Sequence, residues 1–265
     1  MDDQVFPVPT TEPLPAAASP LAAAAPTPGD EMLRARRPRS RWDVLWREWF
    51  RPLLIIAVVM FSFRSAVADW NDVPTGSMKP TILEGDRIFI NKIAYDLKFP
   101  FTTWRLAEWD DPTWGDIVVL RSPEDGKRLV KRVVALPGDV VEVLRDGRLF
   151  LNGEEASYLR LDDDVINQID RHLRSHFVFH SESFAGKEHP VMMTVGSSTP
   201  RFEKYRVPED HFFVMGDNRS NSRDSRWFGA VHRDAILGRA TAVALSVDPE
   251  RHYMPRWERF FSRLR

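Results

Sequence analysis

A serine, Ser77, stands between a glycine and a methionine in "VPTGSMKPT", Val73 to Thr81. A serine hydroxyl is a weak nucleophile until a base takes its proton. The commonest base is histidine, and the chain has seven. His211 lies in a strand-like run that leads into Gly216-Asp217, but no Gly-x-Ser-x-Gly elbow exists to serve it. His172, His176 and His180 are spaced so that a helix would align them. No carboxylate completes a metal set with them, and "FVF" between the last two reads as strand, so a solvated face is the plainer reading. The chain has no cysteine. That removes a thiolate nucleophile, a disulfide framework and Cys-ligated zinc, and it is compatible with an oxidising compartment.

Lysine is the other candidate base. In "KRLVKRVVALPGDVVEV", Lys127 to Val143, a strand would put Leu129, Lys131, Val133 and Ala135 on one face. Val130, Arg132 and Val134 would share the other. An amine buried among aliphatic neighbours loses hydration of its charged form, and its pKa falls. From a reference near about 10.4, under ~1% is neutral at pH 8, and a drop of about 2 units makes roughly half neutral. The alternative is an edge-strand lysine that reaches solvent. A third stretch, "MGDNRSNSRDSRWFG" from Met215 to Gly229, packs hydroxyls and charges between two apolar runs. If buried, its charges must pair. Arg226 is placed to hold Asp224, and Asp217 to hold Arg132. Ser222 is placed to hydrogen-bond Lys131 and aim its amine.

Strands would have to position these groups. "DRIFINKIAY" alternates, "GDIVVLRS" is a short apolar run, and "DVVEVLRDGRLFLNG" is a hairpin around Asp146-Gly147. "HFFVMGDN" and "GRATAVALSVD" read as further strands. The stretch 162–180 reads as a helix or as an irregular insertion. The body, from residue 71 on, is therefore expected to be mainly β.

The N-terminal third is of another character. Residues 1–33 are a Pro/Ala-rich tail, expected to be disordered. Residues 34–51 hold seven arginines against two acids. "PLLIIAVVMFSF", Pro52 to Phe63, has no charge, and Trp46 and Trp70 flank it as interfacial anchors would. Residues 52–70 are expected to form a transmembrane anchor, with Arg64 reaching the interface. A buried core helix and a cleaved signal peptide compete with that reading. Ala66-Val67-Ala68 is an A-x-A pattern behind an apolar run. The aromatics Phe99, Phe101, Trp104, Trp109 and Trp114 read as core or as a loop touching a bilayer. A net charge of −1 argues against nucleic-acid binding.

Four segments, "PTGSMKPT", "GDRIFINK", "KRVVALPGD" and "GDNRSNSRDSRWFG", occur in the order found in the type I signal peptidases (leader peptidases). The resemblance spans about 65–140 and 207–247. It implies a membrane-anchored all-β catalytic domain, in two parts at 71–150 and 207–250, with an insert of small β or irregular character at 151–206. It further implies a serine–lysine dyad of Ser77 as nucleophile and Lys131 as general base. The oxyanion hole would be the Thr75 hydroxyl and the Ser77 amide. Ser222, Asp217, Arg132, Asp224 and Arg226 match supporting residues, and Met78 would help line a substrate pocket or be a core methionine. The implied substrates are exported preproteins, cut after Ala-x-Ala-like residues, with no metal or cofactor. The implied setting is a bacterial inner membrane, crossed once, with the N-terminus cytoplasmic and the catalytic domain on the periplasmic face. The enzyme is expected to be a monomer with a basic tail at 251–265. Two alternatives stand beside it. A self-cleaving repressor also uses Ser and Lys, but carries a DNA-binding helix-turn-helix where this chain has its tail. A membrane-tethered β scaffold with an inactive site would not need the full set of Ser77, Lys131, Thr75 and Ser222.

Overall fold

A computed structural model describes residues 42, 45–99, 102, 104–167, 169, 174–184, 186–196, 199 and 201–264. The expected tail at 1–33, most of the arginine flank, Phe101 and His172 lie outside the described residues. The chain divides into two units, residues 1–54 and 55–265. In the first, a single π-turn covers Trp46–Phe50, with the two terminal rings stacked. A helix, α1, runs Arg51–Ala66.

Alternation of apolar and polar residues builds the second unit from antiparallel strands. The largest sheet runs β1 (Ala68–Asp72), β2 (Asp86–Asn91), β16 (Ile236–Asp248), β5 (Ile117–Arg121), β6 (Arg128–Ala135), β14 (His211–Met215) and β15 (Val231–His232), with β17 (Met254–Pro255) added to β16. A second sheet runs β13 (Phe202–Arg206), β7 (Val140–Val143), β8 (Leu149–Leu151) and β9 (Glu154–Glu155). A third consists of β10 (Ser157–Arg160), β11 (Phe177–Phe184) and β12 (Lys187–Thr194), and β3 (Asp96–Lys98) pairs with β4 (Arg105–Glu108). Two four-residue helices, α2 (Asp163–Ile166) and α3 (Ser225–Phe228), complete the frame. The β7–β8 hairpin turns at Gly147, whose φ of 87° suits a residue without Cβ.

Strand β6 is central because both of its faces are covered. Val130 packs on one core cluster, Leu129 and Val133 on a second, and Val134 and Ala135 on a third. Lys131 and Arg132 are therefore buried together, and a single apolar face does not describe their surroundings.

Three expectations change here. The span at 52–70 is not one helix: α1 ends at Ala66 and the chain enters the sheet at Ala68. Sixteen residues rise about 24 Å, short of the roughly 30 Å of a hydrocarbon core, and no helix among the described residues is long and apolar enough to cross a membrane. The reason lies in the sheet. Asp69 is buried and ion-paired with Arg64, Lys92 and Arg128, which draws 68–72 into the sheet beside β2. Second, the 162–180 stretch is neither one helix nor irregular throughout. It holds α2, and from Phe177 it is strand, so His180 lies on β11 while His176 lies in a turn. Third, residues 251–264 pack on the sheet. Arg259 is buried, bonds both carboxylate oxygens of Asp86 and donates to the Thr81 carbonyl at 3.0 Å. Of the aromatic group at 99–114, Phe99, Trp104 and Trp109 are exposed and Trp114 is core.

Candidate active site

Ser77 sits in one 3-10 turn, Gly76–Met78. The turn is pinned at both ends. The Gly76 carbonyl accepts from Lys79 N, and Met78 is fully buried among Val73, Ile82, Ile88, Ile90 and Ile117. Met78 is thus core. Of the two readings, pocket lining and core, its complete burial fits the second. Thr75 is exposed at the start of the turn in an extended conformation (φ −125°, ψ 146°), and its side chain does not cap the turn.

Pairing of β6 with β5, Val118 opposite Lys131, carries the lysine to the same place. Lys131 Nζ lies 2.8 Å from Ser77 Oγ and 3.0 Å from the Val130 carbonyl oxygen. Only 2% of the lysine is exposed. Burial pushes its pKa down to about 8; the carboxylates of Asp224 and Asp217 oppose the shift and Arg226 adds to it. A serine hydroxyl facing an amine that is half neutral near pH 8 can pass its proton to it.

Two buried ion pairs flank the amine. Arg132 meets Asp217 through two bonds, at 2.8 and 2.7 Å, and donates to the Gly115 carbonyl at 2.8 Å. The Thr81 hydroxyl also donates to Asp217. Arg226 meets Asp224 through two bonds of 2.8 Å, and Asp224 accepts from Gly216 N at 3.0 Å. Burial alone would raise both carboxyls; the facing guanidinium overrides it and holds each below its usual range.

Ser222 makes no hydrogen bond to Lys131 of the expected kind. Lys131 Nζ bonds Ser77 and Val130, while the Ser222 hydroxyl is buried without a hydrogen bond of normal geometry, near enough to Asp224 to help lower its pKa. It fills the space over Gly216, where an added Cβ would lie 2.3 Å from Ser222 Oγ and 2.5 Å from the Ser77 carbonyl oxygen. Gly216→Ala should therefore push the serine out of line. We expect a loss of about 1–3 kcal/mol in urea unfolding, together with a fall in peptidase rate. The histidine option closes in the same view: His211 packs edge-on against His232 and its Nδ1 lies 2.8 Å from the Glu209 carbonyl oxygen.

A second buried network has no counterpart in the sequence reading. Glu182 on β11 takes two bonds from Arg219, at 2.6 and 2.5 Å, and one from the Tyr158 hydroxyl at 2.6 Å. His189 Nε2 lies 3.2 Å from Glu182 without the alignment of a hydrogen bond, and burial lowers its pKa, with Arg132 adding to the effect. Arg219 belongs to the quoted loop, but its partner is 37 residues away in the insert. The only signal was a glutamate, Glu182, at the centre of an aromatic-flanked run.

Among the described residues no cluster of His, Asp and Glu is arranged to hold a metal ion. Comparison with known proteins supplies the context. A family model described as signal peptidase, peptidase S26, matches residues 46–245. Signal peptidase I of Pseudomonas fluorescens is 34% identical over 225 residues, covering 79% of this chain and 75% of that protein. Signal peptidase I P of Bacillus subtilis subsp. natto is 31% identical over 208 residues, covering 77% and 92%. A solved signal peptidase I from Enterococcus faecalis V583 shares 29% identity, with 50% of this chain and 98% of that one covered, at a TM-score of 0.31.

Proposed function

The chain belongs to the S26 signal peptidase family and is a serine endopeptidase, and from that premise we propose that it removes N-terminal signal peptides from exported preproteins with Ser77 as nucleophile and Lys131 as base. The observation that carries this reading is the 2.8 Å contact between a hydroxyl and an amine kept from water. Neutral Lys131 takes the Ser77 proton as Oγ attacks the carbonyl carbon of the residue before the cut. The negative charge that develops on the carbonyl oxygen is met by the Thr75 hydroxyl and the Ser77 amide. The C–N bond then breaks, and protonated Lys131 gives its proton to the leaving amine. Water, deprotonated by the same amine, attacks the acyl ester, releases the signal peptide as a carboxylate and regenerates Ser77. The Arg132–Asp217 and Arg226–Asp224 pairs hold the lysine's surroundings fixed.

The substrate would dock as an extended strand, and small residues at the first and third positions before the cut would fit shallow pockets. Exposed Leu53, Leu54, Ile55, Ile56 and Val58 on α1 support attachment to a bilayer, with the arginine flank on the cytoplasmic side. The chain would then work on the outer face as a monomer. Carbonate extraction tests the attachment.

The deciding experiment uses the purified full chain and a preprotein ending its leader in Ala-x-Ala. The parent protein should yield a mature product whose N-terminal sequence begins after the second alanine. Ser77→Ala should yield none while keeping the parent's circular dichroism spectrum. Equal cleavage by Ser77→Ala would remove the assigned nucleophile.

A further inference from the structure

We infer that Asn218 is a positioning residue for Ser77, and that the β10–β12 sheet is the abutment that holds Asn218 in place. Three consecutive residues, 217 to 219, join the sheet to the serine. On one side, Met192 of β12 lies beside them as a short parallel bridge: Met192 N donates to the Asp217 carbonyl and Arg219 N to the Met192 carbonyl, both at 2.9 Å. Thr194 N adds a bond to Ser220 Oγ at 2.9 Å. The Arg219 side chain crosses into the same sheet and locks on Glu182.

On the other side, Asn218 faces the catalytic turn. Its backbone N–H donates to the Ser77 carbonyl at 3.0 Å and its Nδ2 donates to the Gly76 carbonyl at 3.1 Å. Gly76 O is an acceptor, so the amide must present its NH2 group there. The other end of the amide, Oδ1, is buried without a partner. That end opposes folding, so the side chain holds Gly76 at some expense to stability. Asp217, the neighbouring residue, holds Arg132 next to Lys131. One turn thus sets the distance between nucleophile and base, and the insert, distant in sequence, fixes the turn.

This rests on the proposed peptidase reaction, so the test carries a readout that does not need turnover. Asn218→Leu keeps the shape, removes the donor and removes the orphaned acceptor, so it should fold at least as firmly as Asn218→Ala. With an Ala-x-Ala peptide, both variants should lose tenfold or more in kcat with KM within about threefold of the parent's and the thermal midpoint within a few degrees. Amide exchange across residues 76–79 should quicken in Asn218→Leu. The pair replacement Arg219→Met with Glu182→Leu should give a smaller loss in kcat, and should add little when combined with Asn218→Leu. A folded Asn218→Leu protein with kcat within twofold of the parent's overturns the inference, as does a loss tracked fully by a lower midpoint. A parent protein that cleaves nothing would sink the reaction instead. In that case unchanged exchange at 76–79 in Asn218→Leu would overturn the positioning role, and faster exchange would support it.

Discussion

Lys131→Met should fold as the parent does and cleave at least about 10⁴-fold more slowly, the order of loss when a member of a proton-transfer set is disabled. Methionine is unbranched, only one atom shorter and at home in aliphatic surroundings, so the loss is chemical. The parent's own pH profile should show the same amine. With the lysine pKa at about 8, kcat/KM should rise roughly tenfold per pH unit below 8 and level off above it. The substitution should also change stability. The folded pKa is below the unfolded value, so between about pH 8 and 10.5 the unfolded chain binds more protons. Stability contributed by this group therefore rises with pH across that window. At pH 7 the buried ammonium opposes folding by about 3 kcal/mol, part of which its hydrogen bonds return. Lys131→Met should thus be about 1–3 kcal/mol more stable than the parent at pH 7, with the gap closing towards pH 10. Substantial cleavage by the variant, or a rate profile flat from pH 6 to 9, would remove the lysine from the mechanism.

Asp217→Ala should cost about 3–5 kcal/mol of stability, the range for stranding one half of a buried ion pair. Arg132 is 1% exposed. Its guanidinium would keep the Gly115 carbonyl but lose both carboxylate bonds, in a region where water does not reach. Urea unfolding should show the drop as a lower midpoint. Replacing both partners by apolar residues of similar size, Arg132→Met with Asp217→Leu, should recover most of it, since what destabilises is the orphaned charge. A single variant within 1 kcal/mol of the parent would mean that the pair is wetter than its burial implies.

The chemistry was legible where the residues that meet are marked by type. A serine in a proline-bounded loop, a lysine in an aliphatic strand and a loop dense in Asp and Arg each pointed to burial with pairing, and the pairs Arg132–Asp217 and Arg226–Asp224 lie together. Strands β2, β5 and β16 and the turn at Gly147 follow from alternation and turn chemistry. What alternation could not give is the company of β6. Its two faces meet different clusters, so Arg132 is as buried as Lys131 although a one-face reading separates them. Ser222 was expected at the amine, and the fold sets it over Gly216, a position fixed by the backbone of a loop rather than by residue type. The apolar count at 52–63 suggested a span. Its continuation was decided by Asp69, whose partners Lys92 and Arg128 are brought near only by the sheet. The insert was opaque because the residues hydrogen-bonded to Glu182, Tyr158 and Arg219, lie 24 and 37 residues away.

The seating of β1 has a bearing on the chain's own survival. Ala66-Val67-Ala68 matches the Ala-x-Ala pattern proposed above for the substrates, yet here it leads into a ladder. Val67 O is taken by Lys92 N at 2.9 Å, Ala68 to Asp72 are zipped against Asn91 to Arg87, and Lys92 Nζ clasps the Arg64 and Ser65 carbonyls. A peptidase engages a backbone through free donors and acceptors, and this stretch has given those on its inner side to β2 while β1 remains the edge of the sheet. A neighbouring copy would have to peel β1 from β2 before it could nick the 68–69 bond, so slower cutting there than in an unpaired Ala-x-Ala peptide is the expected result.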